Sequence, residues 1–152
     1  MNAKGARVRT AVLVVEDNPV DVRMIRLALR EEQNWPTDVD VTHDGESAVQ
    51  YLLRQGPYSG ATKPDMLILD LNLPKRHGTE ILQLIRTHEE LSDLPVVVLS
   101  SSPEDVIRDI VTRSRFTADL CLTKPVNVKE YLALGSAFRR CYEEAQAGGN
   151  TH

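Results

Sequence analysis

The chain is short of cysteine, of aromatic residues and of basic charge, and each shortage closes off a class of explanation. Only two of its 152 residues are cysteine, Cys121 and Cys141. They make neither a disulfide framework nor a metal-ligand spacing, and as small buried hydrophobes they fit a reducing cytoplasm. Lys and Arg number 18 against 22 Asp and Glu, a net charge of -4. No cationic excess is left to neutralise nucleic-acid phosphates, so no nucleic-acid partner is expected. A membrane is not expected either. Lys4, Arg7 and Arg9 before the apolar run Ala11 to Val15 imitate a signal peptide, but the run is too short and Glu16-Asp17 ends it. Aromatic residues make up 5%, with Trp35 the single tryptophan.

The aliphatic residues come in short continuous runs. Ala11-Val12-Leu13-Val14-Val15, Met66-Leu67-Ile68-Leu69 and Val96-Val97-Val98-Leu99 have no polar alternation, which is how strands buried on both faces of a parallel sheet read. Val39 and Val41 instead alternate with Asp38, Asp40 and Thr42 and predict an edge strand. Leu120-Cys121-Leu122 is the last strand. Between the strands lie helical patterns. Asn18-Pro19 opens the first, with Asn18 as cap and Asp21 complementing the dipole; Val22, Ile25, Ala28 and Leu29 face inward to about Glu32. A second helix follows Asp44-Gly45, a third opens at Thr79 after the turn Lys75 to Gly78, and Pro103-Glu104-Asp105 begins a fourth, capped by Ser102. A final helix from about Asn127 to Ala145 carries Tyr131, Leu134, Phe138 and Tyr142 on one face. Residues 1–9 read as a mobile tail, 10–145 as one domain and 146–152 as a frayed tail from Gly148-Gly149.

Five strands alternating with five helices imply right-handed crossovers and a doubly wound, flavodoxin-like parallel sheet of order 2-1-3-4-5. In such a sheet ligands bind outside the carboxyl ends of the strands, at the point where strand order reverses. There the first strand ends in Glu16-Asp17, the third in Asp70, the fourth in Ser100 and the fifth in Lys124. Carboxylates about 4 Å apart repel by roughly 4 kcal/mol per pair at an effective dielectric of 20, so three of them call for a cation or a raised pKa. Oxygen ligands and a loop carbonyl suit Mg²⁺, which keeps several waters and accepts a site of two carboxylates plus a phosphate. A carboxylate nucleophile, a metal, a point cation and a hydroxyl donor together make a phosphoryl-transfer site.

From Thr10 to Ala145 the chain resembles the receiver domain of two-component response regulators. The resemblance is carried by Glu16-Asp17, by Asp70-Leu71-Asn72-Leu73-Pro74 with Gly78, by Ser100 and by Lys124-Pro125, all in the family's order. It implies that Asp70 accepts a phosphoryl group from a sensor histidine kinase. Asp17, Asp70 and the Asn72 carbonyl would ligate Mg²⁺, Glu16 would act through water, Lys124 would neutralise phosphoryl oxygens and Ser100 would read their presence. It further implies a cis bond before Pro125, no enzymatic activity beyond the domain's own phosphorylation and dephosphorylation, and a two-fold dimer through the fourth helix, last strand and fifth helix, aided by Tyr142. The long connection Gly56 to Pro64, the wording of the Asp70 loop and the absence of an output domain look most like the stand-alone receivers paired with bacterial phytochromes.

Two features depart from that pattern. Cys121 stands three residues before the lysine, where the family usually has an aromatic switch residue, and His77 stands where many relatives have Asp. His77 reads as a solvated loop residue. The rival readings are a Mg²⁺-dependent aspartyl-phosphate phosphohydrolase and a pseudo-receiver that keeps the fold without the chemistry. The first is disfavoured by Asn72, where the best-known enzymes of that kind carry a second Asp. The second is disfavoured because no acid and no lysine is missing. A flavin or dinucleotide binder is disfavoured because no Gly-rich loop follows the first strand.

Overall fold

A computed structural model describes residues 9–149. Of the expected N-terminal tail only Arg9 falls among them, and it is tied down, bonding Asp38 at 2.7 Å and the Thr37 carbonyl at 2.9 Å. Residues 1–8 and 150–152 lie outside the described residues.

The apolar runs form strands β1 (Thr10–Val15), β2 (Thr37–Thr42), β3 (Met66–Leu69), β4 (Val96–Ser100) and β5 (Leu120–Thr123). All pair in parallel, in the order β2-β1-β3-β4-β5. Every residue of β3 and β4 is buried, whereas β2 alternates at its exposed edge. Period-two geometry splits the interior into two layers. Leu13, Val15, Leu67, Leu69, Val96 and Val98 face helices α2 (Gly45–Leu53), α3 (Gly78–Thr87) and α4 (Glu104–Ser114). Val12, Val14, Met66, Ile68, Val97 and Leu99 face α1 (Pro19–Glu31), α5 (Val128–Leu132) and α6 (Leu134–Gly149). No helix among the described residues is long and apolar enough to cross a membrane.

Local chemistry explains most boundaries. The Asn18 side chain accepts from the N–H groups of Val20 and Asp21, as expected, and α1 begins there. Helix α3 starts one residue earlier than expected because His77 caps it. The His77 ring Nδ1 accepts from the Thr79 N–H at 3.2 Å, while Glu80 accepts from the His77 N–H at 3.4 Å. His77 is exposed, as read, yet it is not merely solvated. Ser102 does not cap α4: Pro103 stands at that position without a side-chain bond, and the Ser102 carbonyl instead accepts the Thr123 hydroxyl at 2.7 Å. That bond ties the β4–α4 loop to β5.

The expected final helix is in two segments. It jogs at Ala133, and Gly135 then lies against the Ala28 carbonyl of α1, where a Cβ would collide. The jog and the missing side chain together let α6 lean on α1. Helix α6 continues to Gly149 rather than fraying after Ala145, since extending an existing ladder avoids the cost of nucleation. The Lys124–Pro125 bond, expected cis, is trans, as are all peptide bonds among the described residues. Trans is the lower form of an Xaa–Pro bond by about 0.5–1 kcal/mol.

Candidate functional site

The register of the sheet brings the strand ends level. Val15 lies opposite Thr42 and Leu69, and Ser100 opposite Thr123. One residue further, the Glu16 N–H bonds the Thr42 carbonyl at 3.0 Å, the Asp70 N–H bonds the Val15 carbonyl at 3.1 Å, and the Lys124 N–H bonds the Ser100 carbonyl at 2.8 Å. Glu16, Asp70 and Lys124 are thus held by backbone bonds of the sheet itself, which is why their side chains can converge.

Their meeting point is the Lys124 ammonium. Its Nζ stands 2.8 Å from Glu16 Oε1, 2.9 Å from Asp21 Oδ2 and 3.1 Å from Asp70 Oδ2. Three carboxylates therefore engage the three donors of one ammonium. The remaining carboxylate oxygens are engaged as well. Asn18 N–H donates to Glu16 Oε2 at 3.1 Å, Asn72 N–H to Asp70 Oδ1 at 3.2 Å, and the Tyr131 hydroxyl to Asp21 Oδ1 at 2.9 Å. The Lys124, Glu16 and Asp70 side chains are less than a tenth exposed. Ser100 is fully buried at the end of β4. Asp17 is different: it is exposed and makes no hydrogen bond or ion pair among the described residues.

Burial raises the Glu16 carboxyl to about 7, with the Asp70 charge adding to the effect and the bonds from Lys124 and Asn18 opposing it. Burial works against the Lys124 ammonium, but the bonds to Glu16 and Asp21 and the charge on Asp70 outweigh it and hold Lys124 above its ordinary value. For Tyr131, burial and then the bond to Asp21 keep the phenol protonated far above the usual range.

Oxygens of Glu16, Asp17 and Asp70 all lie within 4.8 Å of one another. This all-oxygen, negatively charged set, one of whose members is unengaged and open to solvent, fits a hard divalent cation. Asn72 is also exposed beside it, in the loop that follows Asp70.

Each residue expected from the sequence therefore lies at this edge, and two more join them. Asp21 was expected only to complement the helix dipole, and Tyr131 only to pack in the core. Asp21 carried no signal beyond its place in the first turn of α1. Tyr131 had no signal, because its partner is reached only through the packing of α5 on α1.

A five-stranded parallel sheet in this order, with two acids, an Asp, a hydroxyl and a lysine at successive strand ends, defines the receiver class. Residues 12–134 match the response regulator receiver domain family, and the chain belongs to it. It is 33% identical over 119 residues to the response regulator Rcp1 of Synechocystis sp., covering 78% of this chain and 79% of that one. It is 35% identical over 131 residues to the transcriptional regulatory protein TrcR of Mycobacterium tuberculosis, covering 86% of this chain but 45% of TrcR. Among solved structures, that of the phosphorylated cyanobacterial phytochrome response regulator RcpA is similar with a TM-score of 0.80 at 32% identity, covering 89% of this chain and 94% of that one. The Mn²⁺-bound form of Rcp1 has a TM-score of 0.75 at 30% identity, covering 84% and 90% respectively. The bacteriophytochrome response regulator AtBRR has a TM-score of 0.71 at 31% identity, covering 88% and 94%.

Four carboxylates against one ammonium leave the edge short of positive charge. Asp70→Asn is therefore expected to raise stability in urea by roughly 1–3 kcal/mol when divalent ions are absent. Added magnesium should narrow the gap by stabilising the wild type more than the variant. An unchanged or lower urea midpoint for Asp70→Asn in EDTA would contradict this electrostatic account.

Proposed function

We propose that the protein is a phosphorylation switch in which Asp70 takes a phosphoryl group from the phosphohistidine of a sensor kinase. A carboxylate oxygen of Asp70 attacks phosphorus, and the P–N bond breaks. The imidazole leaves with the bonding pair and gains a proton from solvent, leaving an acyl phosphate on Asp70. Asp17, Asp70 and the Asn72 carbonyl would hold Mg²⁺, with Glu16 acting through water. When bound, the ion supplies positive charge to the oxygens of the transferring group. Lys124 neutralises a phosphoryl oxygen, and Ser100 donates a hydrogen bond to another. The observation that supports this reading is the 3.1 Å contact between the Lys124 ammonium and an Asp70 oxygen beside the open Asp17 carboxylate, because a carboxylate, an ammonium and an unengaged acid at one edge are the groups such a transfer needs. The relatives' names, a phytochrome response regulator among them, favour a kinase of the phytochrome type, and in this reading the signalling is cytoplasmic. The only chemistry the domain catalyses is its own phosphorylation and dephosphorylation.

Asp70→Asn should abolish labelling both by kinase and by acetyl phosphate, since a carboxamide cannot form the acyl phosphate. Labelling at an unchanged rate, followed by intact mass, would overturn the assignment. Asp17→Ala is expected to weaken Mg²⁺ binding much more than Glu16→Ala. The Asp17 oxygens are unengaged, whereas those of Glu16 are already bonded to Lys124 and Asn18. Equal losses in a titration would remove Asp17 from the direct ligands.

We also infer a two-fold dimer through α4, β5 and the last helix. In its support, β5 is an edge strand, and a groove of about 540 Å³ beside it is lined by Arg108, Val111, Phe116, Leu120 and Cys121. Tyr142, expected to aid this interface, packs its ring on Trp35 with centroids 5.9 Å apart. Sedimentation should show concentration-dependent association that strengthens with a beryllofluoride mimic. A monomer at all concentrations, with and without the mimic, would exclude the dimer.

A further inference from the structure

The Lys124 side chain has four rotatable carbons' worth of freedom and only one useful position, so something must aim it. An ammonium has three N–H bonds in a tetrahedral fan, and fixing two of them fixes the third. In this protein Glu16 holds one at 2.8 Å and Asp21 holds another at 2.9 Å, which leaves the third pointed at Asp70. Glu16 is fixed from behind by the Asn18 N–H. Asp21 is fixed from behind by Tyr131, whose hydroxyl takes Oδ1 and so leaves only Oδ2 for the ammonium. The Tyr131 side chain is itself immobile, being 4% exposed in the layer shared by α1, α5 and α6.

We infer that Asp21 and Tyr131 form a positioning pair that aims the Lys124 ammonium at the phosphoryl acceptor. The inference rests on the reading of Asp70 as that acceptor. Helix-dipole compensation, the ordinary role of an Asp in a first turn, requires neither contact. Nor does core packing require a buried phenol oxygen, since a phenylalanine would fill the same space. The pair spans two helices: Asp21 is in the first turn of α1, and Tyr131 is in α5, the helix that follows Lys124 and Pro125. The bond between them fixes the ammonium relative to both. Phosphoryl transfer to Asp70 needs that ammonium already in place, because a lysine that had first to be ordered would add the entropy of its side chain to the barrier.

The test is a double-mutant cycle read by phosphorylation with acetyl phosphate and Mg²⁺, the phosphorylated fraction being followed by intact mass. Asp21→Asn should slow labelling roughly tenfold and Tyr131→Phe roughly threefold, the scale of a weakened hydrogen bond to a charged group. In a Lys124→Ala background neither substitution should slow labelling further, because the group they position is gone. Tyr131→Phe keeps every charge, so its Mg²⁺ affinity should match the wild type while its labelling rate falls. It also keeps the ring, so should Asp21→Asn fail to fold, the Tyr131→Phe and Lys124→Ala cycle decides alone. Wild-type labelling by the folded variants, or equal slowing with and without Lys124, would overturn the positioning role. A wild type that takes no phosphoryl group at all would overturn the reading of Asp70, and this inference with it.

Discussion

One buried ammonium holds together the end of this sheet. Removing Lys124 would leave Glu16, Asp21 and Asp70 crowded at the edge of an aliphatic core with no counter-charge, and breaking a buried ion pair in that way typically costs 3–5 kcal/mol. The ion cluster is not there for stability, however, since apolar residues of the same volume would pack at least as well. Its cost is explained by what the arrangement brings together: a buried Asp70 oxygen in contact with a cation, and an exposed, unengaged Asp17 carboxylate next to it.

The fold makes this possible by a division of labour. Strands β1, β3 and β4 are aliphatic almost throughout, so their register is set by burial on both faces and by the two layers of helices. The site's polar groups are kept for the last position of β4 and the first positions beyond β1, β3 and β5. Because parallel strands run the same way, all of these positions fall on one edge, and the crossover between β1 and β3 puts the acids of both side by side. The backbone bonds that continue past the strand ends, from Glu16, Asp70 and Lys124, extend the order of the sheet into the site.

Cys121 bears on how a change at this edge would be transmitted. It lies at the middle of β5, buried, in the wall of the groove beside α4, and burial pushes its thiol up. A cysteine presents nearly the same shape in every rotamer, so it cannot report an event at Asp70 by swinging as a ring can. Two polar connections remain: the Thr123 hydroxyl on the Ser102 carbonyl, which joins β5 to the loop before α4, and the Tyr131 hydroxyl on Asp21. Both join segments that flank the site.

The sheet, its order and most of the residues at its edge were readable from the apolar pattern. Short apolar runs bounded by turn residues read as strands buried on both faces, and the residue that ends such a run stands at the sheet's edge. Asp70, Glu16, Asp17, Ser100 and Lys124 were legible for that reason, Asn72 only through the resemblance to the receiver family, and the capped start of α1 at Asn18 because its signal is local. Contacts between segments far apart in the chain were not legible. Whether Asp21 faces solvent or Lys124, and whether the Tyr131 hydroxyl has a partner, depends on how α5 lies across α1. The same packing brings Gly135 against the Ala28 carbonyl and breaks the last helix at Ala133. Ser102 loses the cap because α4 begins one residue later than expected, with Pro103 at the cap position. Packing settled these points, because a hydrogen bond such as that of Tyr131 to Asp21, 110 residues apart, leaves no periodicity in either segment that makes it.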